Sequence, residues 1–449
     1  MSQAGARSSG IRTPGLPRPW ALPLAMFVIT ALAFALTAAF AGVSGDVLTT
    51  NLASWQLSRG TPYLDQISYP PLANHPGREI WVVTLDNGRE VIGRSPGAVL
   101  AGIPAYALFG GDTFSLVPGA LTAAVLAALS VVLVTLTLQR FLPRRETALA
   151  AMAFAFATPV WSVAANGVWP HTLTVLGICG MAWASSSENR HRWWMVGLFG
   201  GVVLWGRLHA AVLVAVFGVL VAWRNRSIRE LWQVGLPSAA LLVLQACWTR
   251  WLYGSWNPAS AYNTDPFSDF ASTHRLDLAN QLGFWIAPDR GFLVWTPVAL
   301  LLLPVVVRSW ATLPVWARAL VWAGLAYTVL QGVLNRFSGG DTLYGYRLML
   351  EFLACATPAL ALAAPQAGPV VRALLAPVLA LQTIAITAGS VNNVLGLPHE
   401  KVWRDNSFLA AFGGQEWLLL FVVVIAGLMG WLGRRIWSDG PSSATPTGV

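Results

Sequence analysis

The stretch LVPGALTAAVLAALSVVLVTLTL, residues 116–138, decides the fold, because it carries no charge and is long enough to cross the hydrocarbon core of a bilayer as a helix. The whole chain has this character: of 449 residues, 55% are hydrophobic and 10% are charged, with a mean hydropathy of +0.58. A soluble domain carries about 25% charged residues. The composition therefore excludes a water-soluble globule, and the unbroken apolar runs exclude a barrel of alternating strands.

Further apolar runs predict further spans. The run 193–223 is interrupted by Arg207 and His209, and we interpret it as a hairpin of two short spans, since one helix would put its flanking arginines on opposite sides of the membrane. Residues 96–110 are too short to span and are interpreted as an interfacial or re-entrant segment. The other runs are residues 20–43, 148–165, 169–185, 231–253, 292–307, 315–334, 348–364, 370–391 and 417–432. The sequence thus predicts an all-α polytopic membrane protein with about 12 transmembrane helices.

The distribution of charge predicts the orientation. The net charge is +9, and every basic residue except Lys401 is an arginine. Short arginine-rich loops fall on one side of the predicted map, which the positive-inside rule makes cytoplasmic, together with both termini. We therefore predict cytoplasmic tails over residues 1–19 and 436–449, and a domain over 20–435 in the plasma membrane. No basic run is interleaved with aromatic residues, so nucleic acid is not a predicted partner.

The largest predicted outer loop, residues 44–113, holds much of the polar sequence. It opens with an amphipathic stretch in which Leu48, Leu52 and Trp55 share one helical face, while Asp46, Thr50 and Ser54 face elsewhere. This pattern predicts an amphipathic helix with one polar side.

The same loop contains EIWVVTLDNGREVIGR, residues 79–94, in which Asn87-Gly88 lies between β-rich flanks. An Asn-Gly pair in this setting is a strong hairpin signal. The sequence therefore predicts a small β-hairpin on the outer side.

Several common site types have no counterpart in the sequence. There is no Walker loop, no GxGxxG after a strand, no HExxH and no GxSxG, so a nucleotide-fuelled enzyme is not predicted. The six histidines are scattered and predict no metal site. Cys179, Cys247 and Cys355 lie inside apolar runs and are interpreted as small core residues without disulfides.

Asp46 and Arg207 are the leading candidates for chemistry. Asp46 is the first acid after the first span, either an N-cap or first-turn acid of the next helix or a carboxylate that deprotonates an acceptor hydroxyl or holds a divalent cation. Arg207 lies deep in an apolar hairpin, where it either snorkels to the outer interface or clamps a lipid-linked phosphate.

Further candidates lie at the outer ends of predicted spans. Arg347 and Glu351 share one helix face, either as a mutual ion pair or as a second contact to phosphate or sugar. Asp289-Arg290-Gly291 is interpreted as a turn before a span. The predicted substrate-binding residues, which include two tyrosines as candidates for sugar stacking, are Asn51, His171, Tyr262, Tyr346 and Glu351.

Taken together, these features resemble the GT-C superfamily of polytopic glycosyltransferases, in particular bacterial members of the protein-mannosyltransferase and aminoarabinose-transferase type. The resemblance lies in the order of short motifs along most of the chain. They are Gly45-Asp46 after the first span, Ser95-Pro96-Gly97 opening a short apolar helix, the hairpin with Arg207, Asp289-Arg290-Gly291, and Gly339-Gly340 leading to Tyr346-Arg347. The family's usual second acid is absent, since Val47 follows Asp46.

The resemblance implies transfer of a sugar from a polyprenyl-phosphate donor to an extracytoplasmic acceptor, which is a cell-envelope glycan, lipid or protein. Asp46 would then be the general base or an electrostatic helper, and Arg207 and Arg347 would bind the lipid phosphate. A divalent cation is the one cofactor left open. The alternatives are a transporter or flippase of lipid-linked sugars, whose expected internal repeats are not evident, and a non-catalytic partner in envelope assembly.

Overall fold

In a computed structural model of the chain, the described residues are 20–40, 43–64, 72, 78–261, 277–340, 343–392, 396–413, 415 and 417–438. The predicted tail over residues 1–19, most of the tail over 436–449, and Tyr262 lie outside them. The described part is mostly helical, with one two-stranded sheet.

The described residues form two strands and a series of helices. The strands are β1 (Val82–Thr84) and β2 (Glu90–Ile92). The helices are α1 (Ala21–Thr37), α2 (Gly45–Ser58), α3 (Pro96–Phe109), α4 (Val117–Leu138), α5 (Arg144–Phe156), α6 (Pro170–Ser185), α7 (Arg192–Gly206), α8 (Ala211–Asn225), α9 (Ile228–Tyr253), α10 (Leu278–Ile286), α11 (Phe292–Trp295), α12 (Pro297–Ser309), α13 (Val315–Leu334), α14 (Leu350–Ala363), α15 (Pro369–Val391), α16 (Ser407–Ala410) and α17 (Leu418–Ser438).

Among the described residues, five helical segments are long and apolar enough to cross a membrane: α4, α9, α13, α15, and Leu208–Asn225, which contains α8. Shorter apolar helices are found at α1, α3, Pro297–Thr312, Leu350–Gln366 and Leu418–Leu432. A helical membrane architecture accounts for both groups, because apolar helices satisfy their own backbone hydrogen bonds in lipid. The total of 12 spans and their orientation stay predictions.

The chain doubles back at Arg207, which separates α7 from α8 in an extended conformation (φ −147°, ψ 115°). A Cβ added to Gly200, in the second half of α7 (192–206), would lie 2.8 Å from the side chain of Val214, near the start of α8. A Cβ added to Gly197, earlier in α7, and one added to Gly218, at the middle of α8, would both meet Val234. The two helices are therefore antiparallel, and the arginines that flank them lie at the same end. The predicted helical hairpin is confirmed.

The predicted β-hairpin is also confirmed. Strands β1 and β2 are antiparallel, with Val82 opposite Ile92 and Thr84 opposite Glu90. Gly88 adopts a φ of +79° in the connecting turn, a conformation that glycine reaches without a steric penalty. Residues 85–89 join the strands, and within them the Leu85 N–H donates to the Arg89 carbonyl and the Gly88 N–H donates to the Leu85 carbonyl. This pattern is that of a type I turn followed by a left-handed residue.

The amphipathic prediction for α2 is wrong for its polar side. Leu52 and Trp55 are buried as expected, but Thr50 and Ser54 are completely buried as well. The Ser54 hydroxyl donates to the carbonyl of Val99 in α3, 2.8 Å away, so the polar side of α2 faces another helix instead of water.

The interpretation of the cysteines as core residues holds for two of them. Cys179 and Cys355 are buried in the main apolar core, which also contains much of α4 to α8, α13 and α14. Cys247 is exposed on α9, so for this residue the interpretation is wrong. All three are free thiols.

Candidate functional site

Asp46 lies in the first turn of α2. The hydroxyl of Ser44, the N-cap residue, accepts a hydrogen bond from the Asp46 backbone N–H at 3.3 Å. The local interpretation as a first-turn acid is therefore correct, and a carboxylate there is favoured by the helix dipole. Because the serine provides the cap, the Asp46 carboxylate is left for other partners.

Three donors from separate parts of the chain converge on that carboxylate. Oδ1 accepts from Arg94 Nη2 at 2.6 Å and from Trp81 Nε1 at 2.8 Å, while Oδ2 accepts from Arg347 Nη1 at 2.5 Å. The Asp46 side chain is 22% exposed, so the carboxylate is largely buried but still reaches solvent. The structure thus joins the start of α2 and the β-hairpin region to the segment that leads into α14.

The electrostatic balance keeps Asp46 ionised. Burial alone would raise its pKa, but the positive charges of Arg94 and Arg347 outweigh burial and hold the pKa of Asp46 well below its usual range. A carboxylate with so low a pKa is a weak proton acceptor at neutral pH.

The sequence analysis missed Arg94 and Trp81. Arg94 is only 5% exposed, its Nε donates to Thr49 Oγ1 at 2.9 Å, and its guanidinium carbon lies 5.7 Å from the centre of the Trp81 ring. The sequence indicates the burial of Arg94 only indirectly. Arg94 stands between β2 and the proline that opens α3, and two ordered elements so close together leave little room for a solvated side chain.

A second buried cluster surrounds His171, near the start of α6. Arg207 Nη1 lies 2.9 Å from His171 Nε2, and His171 Nδ1 lies 2.7 Å from Glu351 Oε1. Arg207 Nη1 also lies 3.2 Å from His171 Nδ1, so its position does not distinguish the two ring nitrogens. The ring proton is assigned to Nδ1 by the contact with the Glu351 carboxylate, because an ionised carboxylate only accepts hydrogen bonds. Thr174 Oγ1 donates to the same Glu351 oxygen at 2.8 Å. Glu351 Oε2 is buried with no hydrogen-bond partner in the described part of the chain.

The structure does not form the local pair between Arg347 and Glu351 that their spacing permits. Arg347 bonds to Asp46, and Glu351 bonds to His171 and Thr174. Tertiary contacts with better geometry and deeper burial replace the solvent-exposed helix pair, which would contribute only about 0.3–0.5 kcal/mol.

The two clusters are neighbours. The Arg347 guanidinium carbon lies 4.9 Å from the centre of the Trp169 ring, and Trp169 precedes α6 just before His171. His171 is also close enough to contribute to the lowered pKa of Asp46. The structure therefore brings Asp46 and Arg347 into direct contact and puts Arg207 in the adjoining cluster.

A small cleft of about 30 Å³ opens beside these residues. Ser44 and Val47 line it from the α2 side, and Trp169, the ring beneath Arg347, lines it from the α6 side. The remaining lining residues are Ala39, Val43, Ser162, Asn166, Leu343, Tyr344 and Gly389. The lining of the cleft is thus part apolar and part polar.

Two predicted substrate-binding residues lie away from open space. Asn51 is 1% exposed, and a Cβ added to Gly119 of α4 would lie 1.8 Å from its Oδ1, so Asn51 packs between helices. Tyr346 is 2% exposed, and its hydroxyl bonds to Thr296 Oγ1 at 2.6 Å. The predicted contacts of these two residues with substrate stay predictions, and Tyr262 lies outside the described residues.

The donor set around Asp46 does not fit a divalent cation. Within the described ranges, no three His, Cys, Asp or Glu side chains are grouped so that they could hold a metal ion. Both Asp46 oxygens face guanidinium groups, whose charge opposes a cation, whereas Mg²⁺ and Ca²⁺ require several oxygen ligands.

The segment Asp289-Arg290-Gly291 is more than the predicted turn. The turn exists, since the Gly291 N–H donates to the Ala287 carbonyl at 2.7 Å. Asp289 and Arg290 also form a buried ion pair, and Asp289 Oδ1 accepts from the backbone N–H of Ser407 at 2.6 Å. Burial raises the pKa of Asp289, although the charge of Arg290 and the bonds from Ser407 oppose the shift.

Comparison with known proteins finds no matching family model and no matching curated protein. Among solved structures, the chain is similar to the Archaeoglobus fulgidus oligosaccharyltransferase in complex with Zn and sulfate, with a TM-score of 0.46 and 16% identity over 84% of this chain and 54% of that one. The same protein tethered to an acceptor peptide gives 0.44 and 14%, over 92% and 56%.

A third structure, the archaeal oligosaccharyltransferase AglB from the same organism with an inhibitory peptide and a dolichol-phosphate, gives a TM-score of 0.41 and 13% identity, over 91% of this chain and 56% of that one. The chain thus spans somewhat more than half the length of these proteins. At such TM-scores and identities we draw neither a family nor an activity from the similarity.

Proposed function

We propose that the protein is a membrane glycosyltransferase that moves a sugar from a polyprenyl-phosphate donor to an acceptor on the outer face. The observation that carries the proposal is the convergence of Arg94 and Arg347 on Asp46, next to Arg207 and beside a cleft, in a bundle of apolar helices. Guanidinium groups bind phosphate with paired hydrogen bonds, and a donor that arrives within the membrane explains a site without nucleotide motifs.

The reaction requires stabilisation of a departing phosphate. The bond between the anomeric carbon and the phosphate oxygen breaks, its electron pair stays on the phosphate, and the acceptor oxygen bonds to the anomeric carbon. Arg347 and Arg207 are proposed to neutralise the charge that develops, because fixed cations in a sheltered site act more strongly than in water. The acceptor's proton passes to the departing phosphate monoester, whose second pKa is about 6.

Asp46 is proposed to act as an electrostatic helper. Its low pKa disfavours a general-base role, and both oxygens already accept hydrogen bonds from Arg94, Trp81 and Arg347. In this role the carboxylate holds the guanidinium of Arg347 at the mouth of the site until the donor phosphate arrives.

Glu351 and His171 are proposed to serve the sugar and Arg207. Glu351 Oε2 is a buried acceptor without a partner in the described residues, and a sugar hydroxyl would provide the missing donor. His171, fixed by Glu351, holds Arg207 in place before the donor binds.

Membranes that contain wild-type protein, Arg347→Ala or Asp46→Asn, assayed with radiolabelled polyprenyl-phosphate sugars, test the proposal. We expect a covalent sugar product from the wild type and at least a tenfold loss for Arg347→Ala, the effect of about one charge-assisted hydrogen bond to the transition state. Equal transfer by all three would remove these residues from the mechanism. Accumulation of labelled substrate in sealed vesicles without a covalent product would favour the transporter alternative.

A further inference from the structure

Arg290 bonds to the segment between α13 and α14, which leads to Arg347. Its Nε donates to the Ser338 carbonyl at 3.1 Å, and its Nη1 donates to the Gly345 carbonyl at 3.4 Å. The Arg290 guanidinium thus fixes two carbonyl groups of this segment, one before Gly339 and one after Gly340.

Both places adjoin the proposed phosphate-binding residue. Gly339 has a φ of +65° and lies so near Arg347 that an added Cβ would be 3.1 Å from the Arg347 Nε. Gly345 is separated from Arg347 in the chain only by Tyr346, which is itself buried. A shift of either carbonyl would therefore move the backbone or the packing surface of Arg347.

Further hydrogen bonds hold the Arg290 guanidinium and its ion-pair partner in place. Arg290 Nη2 donates to the Leu397 carbonyl at 3.0 Å, and Asp289, its ion-pair partner, is held by Ser407 and by the Trp295 indole, which donates to the Asp289 carbonyl at 2.7 Å. Arg290 is 1% exposed, so it has no surface to offer a substrate.

From these contacts we infer that Arg290 is a positioning residue for Arg347: it holds the carbonyls of Ser338 and Gly345 in place so that the Arg347 guanidinium meets the carboxylate of Asp46. The inference rests on the proposed function for the identity of the ligand, a phosphate on a polyprenyl chain. Lysine cannot replace Arg290 here, because its single ammonium lacks the planar fork that reaches several carbonyls at once.

A double-mutant cycle tests the inference, with binding of sugar-free undecaprenyl phosphate to the full chain in lipid nanodiscs as the readout. The variants are Arg290→Lys, Arg347→Ala and the pair. We expect Arg290→Lys to weaken binding about tenfold when Arg347 is present and less than about twofold when it is absent, since residues that act through one another are non-additive. Arg336→Lys, an exposed arginine on the same segment, is the matched control and should bind like wild type.

Thermal unfolding distinguishes a positioning role of Arg290 from a general contribution of Arg290 to the stability of the protein. Loss of the Arg290 bonds should lower Tm by the same amount with and without Arg347, whereas the effect on binding should depend on Arg347. Equal weakening of binding in both backgrounds, or no weakening in either, would overturn the inference. The proposed function fails by a different result, namely no sugar transfer from any polyprenyl-phosphate donor, even when the binding cycle shows the coupling.

Discussion

At the residue scale, Asp46 forms ion pairs with arginines from two distant parts of the chain. Its carboxylate compensates two sheltered guanidinium groups, which would otherwise lose hydration without a partner. Under the proposed function, a phosphate that displaces the carboxylate at Arg347 would replace one anion with another, so that Arg347 stays neutralised.

Asp46→Asn should destabilise the protein at neutral pH and alter its acid sensitivity. The pKa of Asp46 is lower in the folded protein than in the unfolded chain, so its contribution is complete above the unfolded value near 4 and declines as pH falls below it. We expect a loss on the order of 2 kcal/mol at pH 7, because the two arginines lose their partner.

The measurement is thermal unfolding in detergent between pH 3 and 7. The difference in Tm between wild type and Asp46→Asn should be largest at pH 7 and shrink towards pH 3. Asp86→Asn, an exposed acid in the turn between β1 and β2, provides the control and should follow the wild type. A Tm gap that widens on acidification would contradict the charge balance described for Asp46.

The candidate site was only partly predictable at this scale. Asp46, Arg207 and Arg347 stand out locally because each is a charge at or within an apolar segment. Their partners do not, since Arg94 reaches Asp46 through the packing of β2 against α2, and no local pattern encodes that contact. The spacing of Arg347 and Glu351 even suggests the wrong partner, because local geometry ignores competing tertiary contacts.

At the scale of elements, the sequence predicts where helices and turns lie better than it predicts which other elements they pack against. The hairpin at Arg207 follows from charge on both flanks, and the β-hairpin follows from Asn87-Gly88. The enclosure of α2 does not follow from its own residues. Its polar side is buried because α3 and the β-hairpin supply matching groups, such as the Val99 carbonyl.

Gly45→Ala should disturb the junction between α2 and the β-hairpin. A Cβ at Gly45 would lie 2.5 Å from two ring atoms of Trp81, so the indole must move and its bond to Asp46 would be strained or lost. We expect roughly a tenfold loss of sugar transfer with a fall in stability of about 1 kcal/mol.

Gly111→Ala is the matched substitution, because nothing lies within 4 Å of the added Cβ and Gly111 is not among the residues with positive φ. Both variants would be compared in the membrane transfer assay and in thermal unfolding. Unchanged transfer by Gly45→Ala would show that the Trp81 indole is not needed at Asp46.

At the scale of the whole molecule, the antiparallel arrangement of α7 and α8 makes the orientation testable. Single cysteines in place of Arg190 and Arg224 should both react with a membrane-impermeant maleimide only from the cytoplasmic side. A cysteine in place of Asn87 should react only from outside, as the positive-inside rule predicts. The background needs Cys247→Ala, since that thiol is exposed. Labelling of Arg190 and Arg224 positions from opposite sides would contradict the helical hairpin.

The shortness of α7 has a consequence for the lipid around the site. Its 15 residues span about 22 Å, which is less than the hydrocarbon thickness of about 30 Å. If α7 crosses the membrane as the sequence predicts, this mismatch would thin the bilayer locally and bring headgroups and interfacial water towards the end of α7 where Arg207 lies. Acyl-chain length in the host membrane thereby becomes a variable that tunes how readily this arginine meets a lipid-borne anion.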